Sequence, residues 1–291
     1  MQKPICLITG ATEGIGKATA IELAARGFTV VLAARDAAKA EGVAREIEAA
    51  TGHRDADYLV ADLTSLAEVR ALSEKFHQRY PHLDVLLNNA GIFSGKREIT
   101  GDGFEATYQV NYLSQFYLTL LMLDALQRAE QGRIINLSSS VHTNGKFDPD
   151  NLQSEKGFST FGAYATSKLL MLLYTIELAE RLRGTSVTAN AVHPGVVRTQ
   201  MMFRAPGIFR AVAYAALPFS VSPQRGAATS VYLASSAEVK DVSGKYFTRA
   251  REASFKTAFN TPENRALLWD LSMKSLPSEA DAPGQALPAS R

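Results

Sequence analysis

Tyr164 and Lys168 stand four residues apart in Tyr164-Ala-Thr-Ser-Lys168, inside a stretch that reads as a long apolar helix. On a helix that spacing puts the phenol and the ammonium on one face. A free tyrosine ionises near about pH 10, so serving as acid or base at neutral pH takes roughly 4 kcal/mol of differential stabilisation. A lysine one turn away supplies part of that through its charge, and a second cation would add to it. The chemistry in prospect is proton transfer to or from an oxygen. Alone, Tyr-x-x-x-Lys also arises by accident on any helix, so the rest of the chain must show what the pair would serve.

The elements that would position it alternate between apolar runs and amphipathic stretches. Ile5-Cys6-Leu7-Ile8 reads as a buried strand, followed by Thr9-Gly10-Ala11-Thr12-Glu13-Gly14-Ile15-Gly16 and a helical pattern from Lys17 to about Arg26. Glycines there let the backbone turn tightly and approach a ligand, and the amides at a helix start attract a pyrophosphate. The spacing G-x-x-x-G-x-G differs from G-x-G-x-x-G but follows the same physical logic, so nucleotide binding is the better reading of the turn. Thr29 to Ala33 is a second strand, and Asp36 opens a helix to about Thr51 that Gly52 ends. Between them lies Ala34-Arg35-Asp36: an arginine here accommodates a 2′-phosphate and points to NADP, whereas Asp36 would be the partner of a free ribose. A solvated arginine at a strand end is the plain alternative.

Asp57 to Val60 runs into Asp62-Leu63, Ser65-x-x-Glu68 forms a capping box for a helix to about Tyr80, and Val85 to Leu87 ends in Asn88-Asn89-Ala90-Gly91. This alternation predicts right-handed βαβ units and one parallel sheet covered by helices on both faces. Ligands bind beyond the carboxyl ends of such strands, where Gly10, Arg35, Asp62, Asn89 and Gly91 all fall. Asp102 to Gln127 reads as one helix with Asn111 in its middle between Val110 and Tyr112, which hints at a buried role. Arg133 to Leu137 is a strand ending in Ser138-Ser139-Ser140. A polar excursion from Val141 to Thr160 leads to the helix Gly162 to Arg183, then to the strand Val187 to Val192 and the loop His193-Pro194-Gly195-Val196-Val197-Arg198-Thr199.

Gln200 to Ser220 changes character, with Met201, Met202, Phe203, Ile208, Phe209, Val212, Tyr214, Leu217 and Phe219 apolar and only Arg204 and Arg210 charged. Interrupted by Pro206-Gly207 and Pro218, it reads as one or two short helices between hinges that close over a site and favour an apolar substrate. A helix pair packed on the core and a contact with a membrane surface are the alternatives. Ser222-Pro223 caps a further helix, Gly244 to Phe247 reads as a last edge strand, and Thr261-Pro262 starts a terminal helix through about Met273. The domain is read as residues 1–276, with 200–222 as the covering segment and 277–291 as a disordered Ala/Pro/Ser-rich tail.

Composition sets the frame. With 291 residues, 46% apolar and 21% charged, the chain is long enough for one large folded domain. A net charge of +2 and scattered basic residues argue against nucleic acid. One cysteine, Cys6, forms no internal disulfide, and an N-terminus leading straight into the first strand shows neither signal peptide nor membrane span. A cytoplasmic protein is expected. His142 and His193 lack a spaced set of acids or thiols, so loop or packing roles fit better than a metal site.

Thr9-Gly10-x-x-x-Gly14-x-Gly16, Asn88-Asn89-Ala90-Gly91, Asn111, Ser139, Tyr164-x-x-x-Lys168 and Pro194-Gly195 together resemble the short-chain dehydrogenase/reductase family over roughly residues 4 to 275. Ser154-Glu155-Lys156, the loop from His193 to Thr199, and Ser243-Gly244-Lys245-Tyr246-Phe247 resemble its retinol dehydrogenase-like branch most. That implies a Rossmann-type fold and an NADP(H)-dependent oxidoreductase acting on an apolar ketone, aldehyde or alcohol, retinoid- or steroid-like. Tyr164 would be the general acid/base, Lys168 would lower its pKa and hold the ribose, Ser139 would donate to the substrate oxygen, and Asn111 would hold a relay water. Gly10, Thr12, Gly14, Ile15, Gly16, Arg35, Asn89, Ala90 and Gly91 would contact the cofactor. Asp62 and Leu63 would meet its adenine, and Val197 and Thr199 its carboxamide. Many NADP-preferring members carry a basic residue where this chain has Glu13, although the retinol dehydrogenase-like branch manages without it. A catalytically silent cofactor sensor or scaffold on the same fold is the rival, though such proteins tend to lose the tyrosine or lysine. The helices of Asn111 and Tyr164 have broad apolar faces that form a homodimer or homotetramer interface in the resembling family or, alternatively, belong to the core.

Overall fold

A computed structural model of the chain describes residues 3–52, 56–203, 207–215, 217–255 and 257–278. Arg204, Pro206 and most of the tail lie outside these, as do the side chains of Met202, Ile208 and Val212. β1 (Ile5–Thr9) is buried at every residue. Ile5 and Leu7 join one core cluster and Cys6 and Ile8 another, the alternation of a strand covered on both faces. There follow α1 (Gly14–Ala25), β2 (Thr29–Ala34), α2 (Ala37–Thr51), β3 (Ala56–Val60), α3 (Leu66–Arg79) and β4 (Val85–Asn88).

Local chemistry starts and stops these elements. Asp36 caps α2 by accepting from the Lys39 amide, and Gly52 ends it in the left-handed region at φ 71°. Ser65 caps α3, but the Glu68 carboxylate reaches past Ser65 to the Asp62 amide at 2.8 Å. Only half of the expected capping box forms, and its other half braces the end of β3.

The long helix expected from Asp102 begins instead at α4 (Ala106–Tyr108), passes through a wider π turn (Gln109–Leu113) and continues as α5 (Ser114–Gln127). Glu105 sets the start, its carboxylate accepting from the Thr107 and Tyr108 amides. Asp102 is used elsewhere, accepting from the Leu66 amide and from Gln109. Then come β5 (Gly132–Leu137), a 3-10 turn (Ser140–Asn144), α6 (Thr160–Arg181), β6 (Val187–His193), α7 (Gln200–Phe203), α8 (Ile208–Ala215), α9 (Pro223–Ser235), β7 (Tyr246–Thr248), β8 (Arg251–Ala253) and α10 (Pro262–Lys274).

The strand order is β3-β2-β1-β4-β5-β6-β7-β8. β1 to β7 run parallel and β8 antiparallel. The expected last edge strand is therefore interior: after β7 the chain reverses through Arg249 and Ala250, both at positive φ, and β8 takes the edge. Three residues reading Arg-Glu-Ala carry no apolar run, which is why β8 leaves no mark in the sequence. The apolar faces of α5 and α6 are covered in part by α10, whose Trp269 meets Phe116 edge to face at 5.0 Å and Tyr174 at a tilt at 6.1 Å between ring centroids. Arg181 lies 4.2 Å above the Trp269 ring and pairs with Glu177. Among the described residues no helix is long and apolar enough to cross a membrane.

Candidate active site

The carboxyl ends of the parallel strands open on one cavity of about 560 Å³. It lies where the strand order reverses between β1 and β4, at which point successive connections leave opposite faces of the sheet. Glycines shape one end because the two loops nearly touch. A Cβ on Gly10, whose φ is 65°, would lie 2.9 Å from Ala90 Cα; one on Gly16 would lie 2.4 Å from the Gly10 oxygen and 2.5 Å from Asn89 Nδ2. Asn89 Nδ2 donates to the Thr9 and Gly10 carbonyls, while Thr9 Oγ1 accepts from the Asn89 and Ala90 amides and donates to Gln115. These bonds lock the β1 and β4 loops into one rigid wall. Glu13 supplies no side-chain cap to α1, and Gly14 and Ile15 of its first turn line the cavity, an arrangement that suits an anion. A cradle too tight for any Cβ at the start of a helix fits the pyrophosphate of a dinucleotide.

Gly10, Thr12, Gly14, Ile15, Arg35, Asp62, Leu63, Asn89, Ala90, Gly91, Ser139, Tyr164, Lys168, Val197 and Thr199 all line this cavity. Gly16 and Asn111 lie behind its wall. Gly16 permits the loop contact just described. Asn111, fully buried in the π turn, accepts from the Ile92 amide and donates to the Ile92 carbonyl and to Ser167 Oγ. Its side chain clamps the β4 loop to α6. Arg35 is exposed on the rim and forms no ion pair among the described residues. Asp36 is taken up by the α2 cap, with Lys39 Nζ 3.7 Å from its carboxylate. Lys39 also lines the cavity, and its place in the first turn of α2 was the overlooked signal.

At the other end α6 presents Tyr164 and Lys168. Ser138 Oγ donates to the Lys168 carbonyl and Lys168 Nζ to the Leu137 carbonyl, both at 2.9 Å, tying α6 to the end of β5. The ammonium lies 5.6 Å from the Tyr164 ring centroid. Burial pushes Lys168 down to about 8 and the Tyr164 phenol up to about 12. Desolvation of the phenolate raises the phenol, while the neighbouring ammonium donates to a carbonyl. Of the three serines, Ser138 is engaged in that tie. Ser139 Oγ accepts from the Val141 amide at 3.4 Å, which leaves its hydroxyl hydrogen free to point into the cavity.

Around Tyr164 the wall is aromatic. Phe93 meets Tyr164 edge to face at 5.2 Å, Phe209 of α8 meets Phe93 at 5.3 Å, and Phe161 stacks on Phe209 at 6.4 Å. Met201 also lines this end, whereas Phe203 packs on Tyr214 and does not reach the cavity. Phe93 and Phe161 escaped the sequence reading because neither belongs to a periodic apolar pattern: Phe93 follows Ile92 in a loop and Phe161 stands at a helix start.

A doubly wound parallel sheet with a pyrophosphate cradle after β1 and a Tyr/Lys pair at the strand ends defines a dinucleotide-dependent oxidoreductase. Residues 4–206 match the short chain dehydrogenase family, and the chain belongs to it. It resembles retinol dehydrogenases: it is 40% identical to Homo sapiens retinol dehydrogenase 14 over 285 residues, spanning 91% of this chain and 84% of that protein. It is 41% identical to Mus musculus retinol dehydrogenase 13 over 270 residues, spanning 90% and 80%. Among solved structures, an uncharacterised Mycobacterium paratuberculosis protein superposes with a TM-score of 0.74 at 30% identity, covering 94% of this chain and 92% of that one. A Shigella flexneri short chain dehydrogenase complexed with NADP does so at 0.66 and 26%, covering 86% and 98%.

Proposed function

We propose that this oxidoreductase uses NADP(H) to interconvert an apolar carbonyl and its alcohol, with Tyr164 as general acid/base. The observation that carries this reading is the shared cavity: Tyr164, Lys168 and Ser139 meet on its aromatic wall, and the glycine cradle and Arg35 form its other end. The dinucleotide, when bound, supplies or takes up the hydride. Tyr164 gives its proton to the oxygen that becomes an alkoxide in reduction, and takes it back in oxidation. Burial keeps the phenol protonated, which suits the donor role. Ser139 donates a hydrogen bond where negative charge develops, and Lys168 holds positive charge beside the phenol. Phe93, Phe161 and Phe209 exclude water from the reacting oxygen and favour an apolar substrate over a sugar-like one.

Arg35 would hold the 2′-phosphate, Asp62 and Leu63 the adenine, and Val197 and Thr199 the carboxamide. The NADP preference draws support from Arg35, from the commitment of Asp36 to its helix cap, and from structural relatives complexed with NADP and NADPH. Consumption of NADPH and NADH against a panel of apolar aldehydes and ketones tests the reading. Turnover with NADPH is expected, falling with NADH. Tighter binding of NAD than of NADP rejects the preference, and no turnover with any carbonyl leaves the chain a silent cofactor binder.

A further inference from the structure

The turn that carries Ser139 is held from both sides by imidazoles. β5 ends at Leu137 and Ser140–Asn144 makes a single 3-10 turn, so the amides at its start find no partner within the turn. The Val141 amide turns to Ser139 Oγ. The Ser140 amide reaches across to the end of β6 and donates to His193 Nδ1 at 3.2 Å. On the opposite side, His142 Nδ1 donates to the Ser139 carbonyl oxygen at 2.6 Å. These two bonds fix which nitrogen of each ring carries the proton: Nε2 in His193 and Nδ1 in His142.

His193 also lines the cavity, on the same wall as Ser139, Tyr164 and Lys168. The charged groups facing it are His142 from the 3-10 turn and Arg249 from the β7–β8 turn, cations when protonated, and Tyr246 of β7 lies edge-on to His142 at 5.3 Å. Burial first, then His142 and Arg249, push His193 down to about 4, and burial pushes His142 down as well. Both rings are therefore neutral at physiological pH.

We propose that His193 is a positioning residue for the reaction: by accepting the Ser140 amide it fixes the turn so that the Ser139 hydroxyl points at the substrate oxygen. The inference rests on the oxidoreductase reading of this site. A proton on Nδ1 would set donor against donor, release the Ser140 amide and let Ser139 swing away. Misplacement of a catalytic group by about 1 Å costs on the order of a hundredfold in rate, so this contact gives turnover an acid limb that Tyr164 does not produce.

The test compares full-length wild type, H193L, H193N, S139A and S139A/H193L, using NADPH and one aliphatic aldehyde. H193L should lower kcat by about tenfold to a hundredfold with KM for NADPH unchanged. H193N, whose amide oxygen replaces Nδ1 as acceptor and does not titrate, should recover most of kcat and flatten the acid limb. Because His193 acts through Ser139, S139A/H193L should be no slower than S139A. In the free protein, the Ser140 amide resonance should follow the His193 ring through its titration and should lose that dependence in H193N. Wild-type kcat in H193L overturns the proposal, as does a double variant slowed by the full H193L factor or a Ser140 amide indifferent to the ring. If instead the wild type turns over no carbonyl, the oxidoreductase reading fails, and the amide titration still decides the contact.

Discussion

Around Gly10 and Gly16 the β1 and β4 loops pack so closely that one added methyl would sit 2.4 Å from a carbonyl oxygen. On the segment from Gln200 to Ser220, whose Met201 and Phe209 line the other end of the same cavity, Tyr214 and Phe219 stand 55% and 85% exposed. The first region is fixed by backbone against backbone, with Asn89 and Thr9 closing every gap by hydrogen bonds. The second is fixed by a few side chains, chiefly Phe209 seated between Phe93 and Phe161. Backbone packing tolerates no variation, so the glycine end commits the chain to one kind of ligand. Side-chain packing of exposed rings can be changed one residue at a time, so on the reading proposed above the aromatic end is where substrate choice would be adjusted.

Substitution at the junction of the two ends should have the largest effect. Tyr164→Phe keeps the ring against Phe93 but removes the proton donor, so turnover should fall by about a hundredfold or more with NADPH affinity unchanged. Near-normal turnover would refute the assignment. Lys168→Met probes the same junction through stability. The folded chain holds Lys168 at about 8 against an ordinary 10.5, so between those pH values the unfolded chain binds the extra proton. Stability from this group is present above the upper value and is lost as pH falls to the lower one. Denaturant melts of wild type minus Lys168→Met should show that rise with pH, and a flat difference would contradict the burial of the ammonium.

At the rigid end, Gly16→Ala drives a methyl into the Gly10 carbonyl and Asn89, and should cost about 1 to 3 kcal/mol of stability together with affinity for either cofactor. A variant that melts and binds like the wild type would show that the loops can part. Arg35→Ala should weaken NADP by about 1.5 to 3 kcal/mol and leave NAD nearly untouched. Equal losses in titrations with both cofactors would make Arg35 structural. At the aromatic end effects should be smaller and substrate-dependent: in a series of aliphatic aldehydes each added methylene should improve kcat/KM by up to about 0.8 kcal/mol until the pocket is full. Phe209→Ala should flatten that series and Phe203→Ala, which does not line the cavity, should leave it alone. The reverse pattern would displace Phe209 from the substrate wall.

Legibility in the sequence follows the same division. β1, β2 and β4 could be read because strands buried on both faces become uninterrupted apolar runs, and α2 and α3 because their caps are written as Asp36, Gly52 and Ser65. The helix expected from Asp102 started late because Asp102 meets the distant Leu66 amide and leaves the cap to Glu105: a carboxylate in the sequence does not say which amide it will meet. β8 was missed because its order comes from pairing with β7 and from no pattern of its own.

The sequence by itself determined the class of protein, since glycine spacing, strand rhythm and the i, i+4 placement of Tyr164 and Lys168 are local properties of a chain that turns tightly or coils regularly. Tertiary structure decided what each polar group is free to do. It tied Ser138 to Lys168 and left the hydroxyl hydrogen of Ser139 available, drew Asn111 behind the wall to hold Ile92 and Ser167, and set Phe93, Phe161 and Phe209 around the phenol. It also set the direction in which burial moves Tyr164, because the energy of a buried charge depends on the water removed from around it, and the residues that remove that water come from distant parts of the chain.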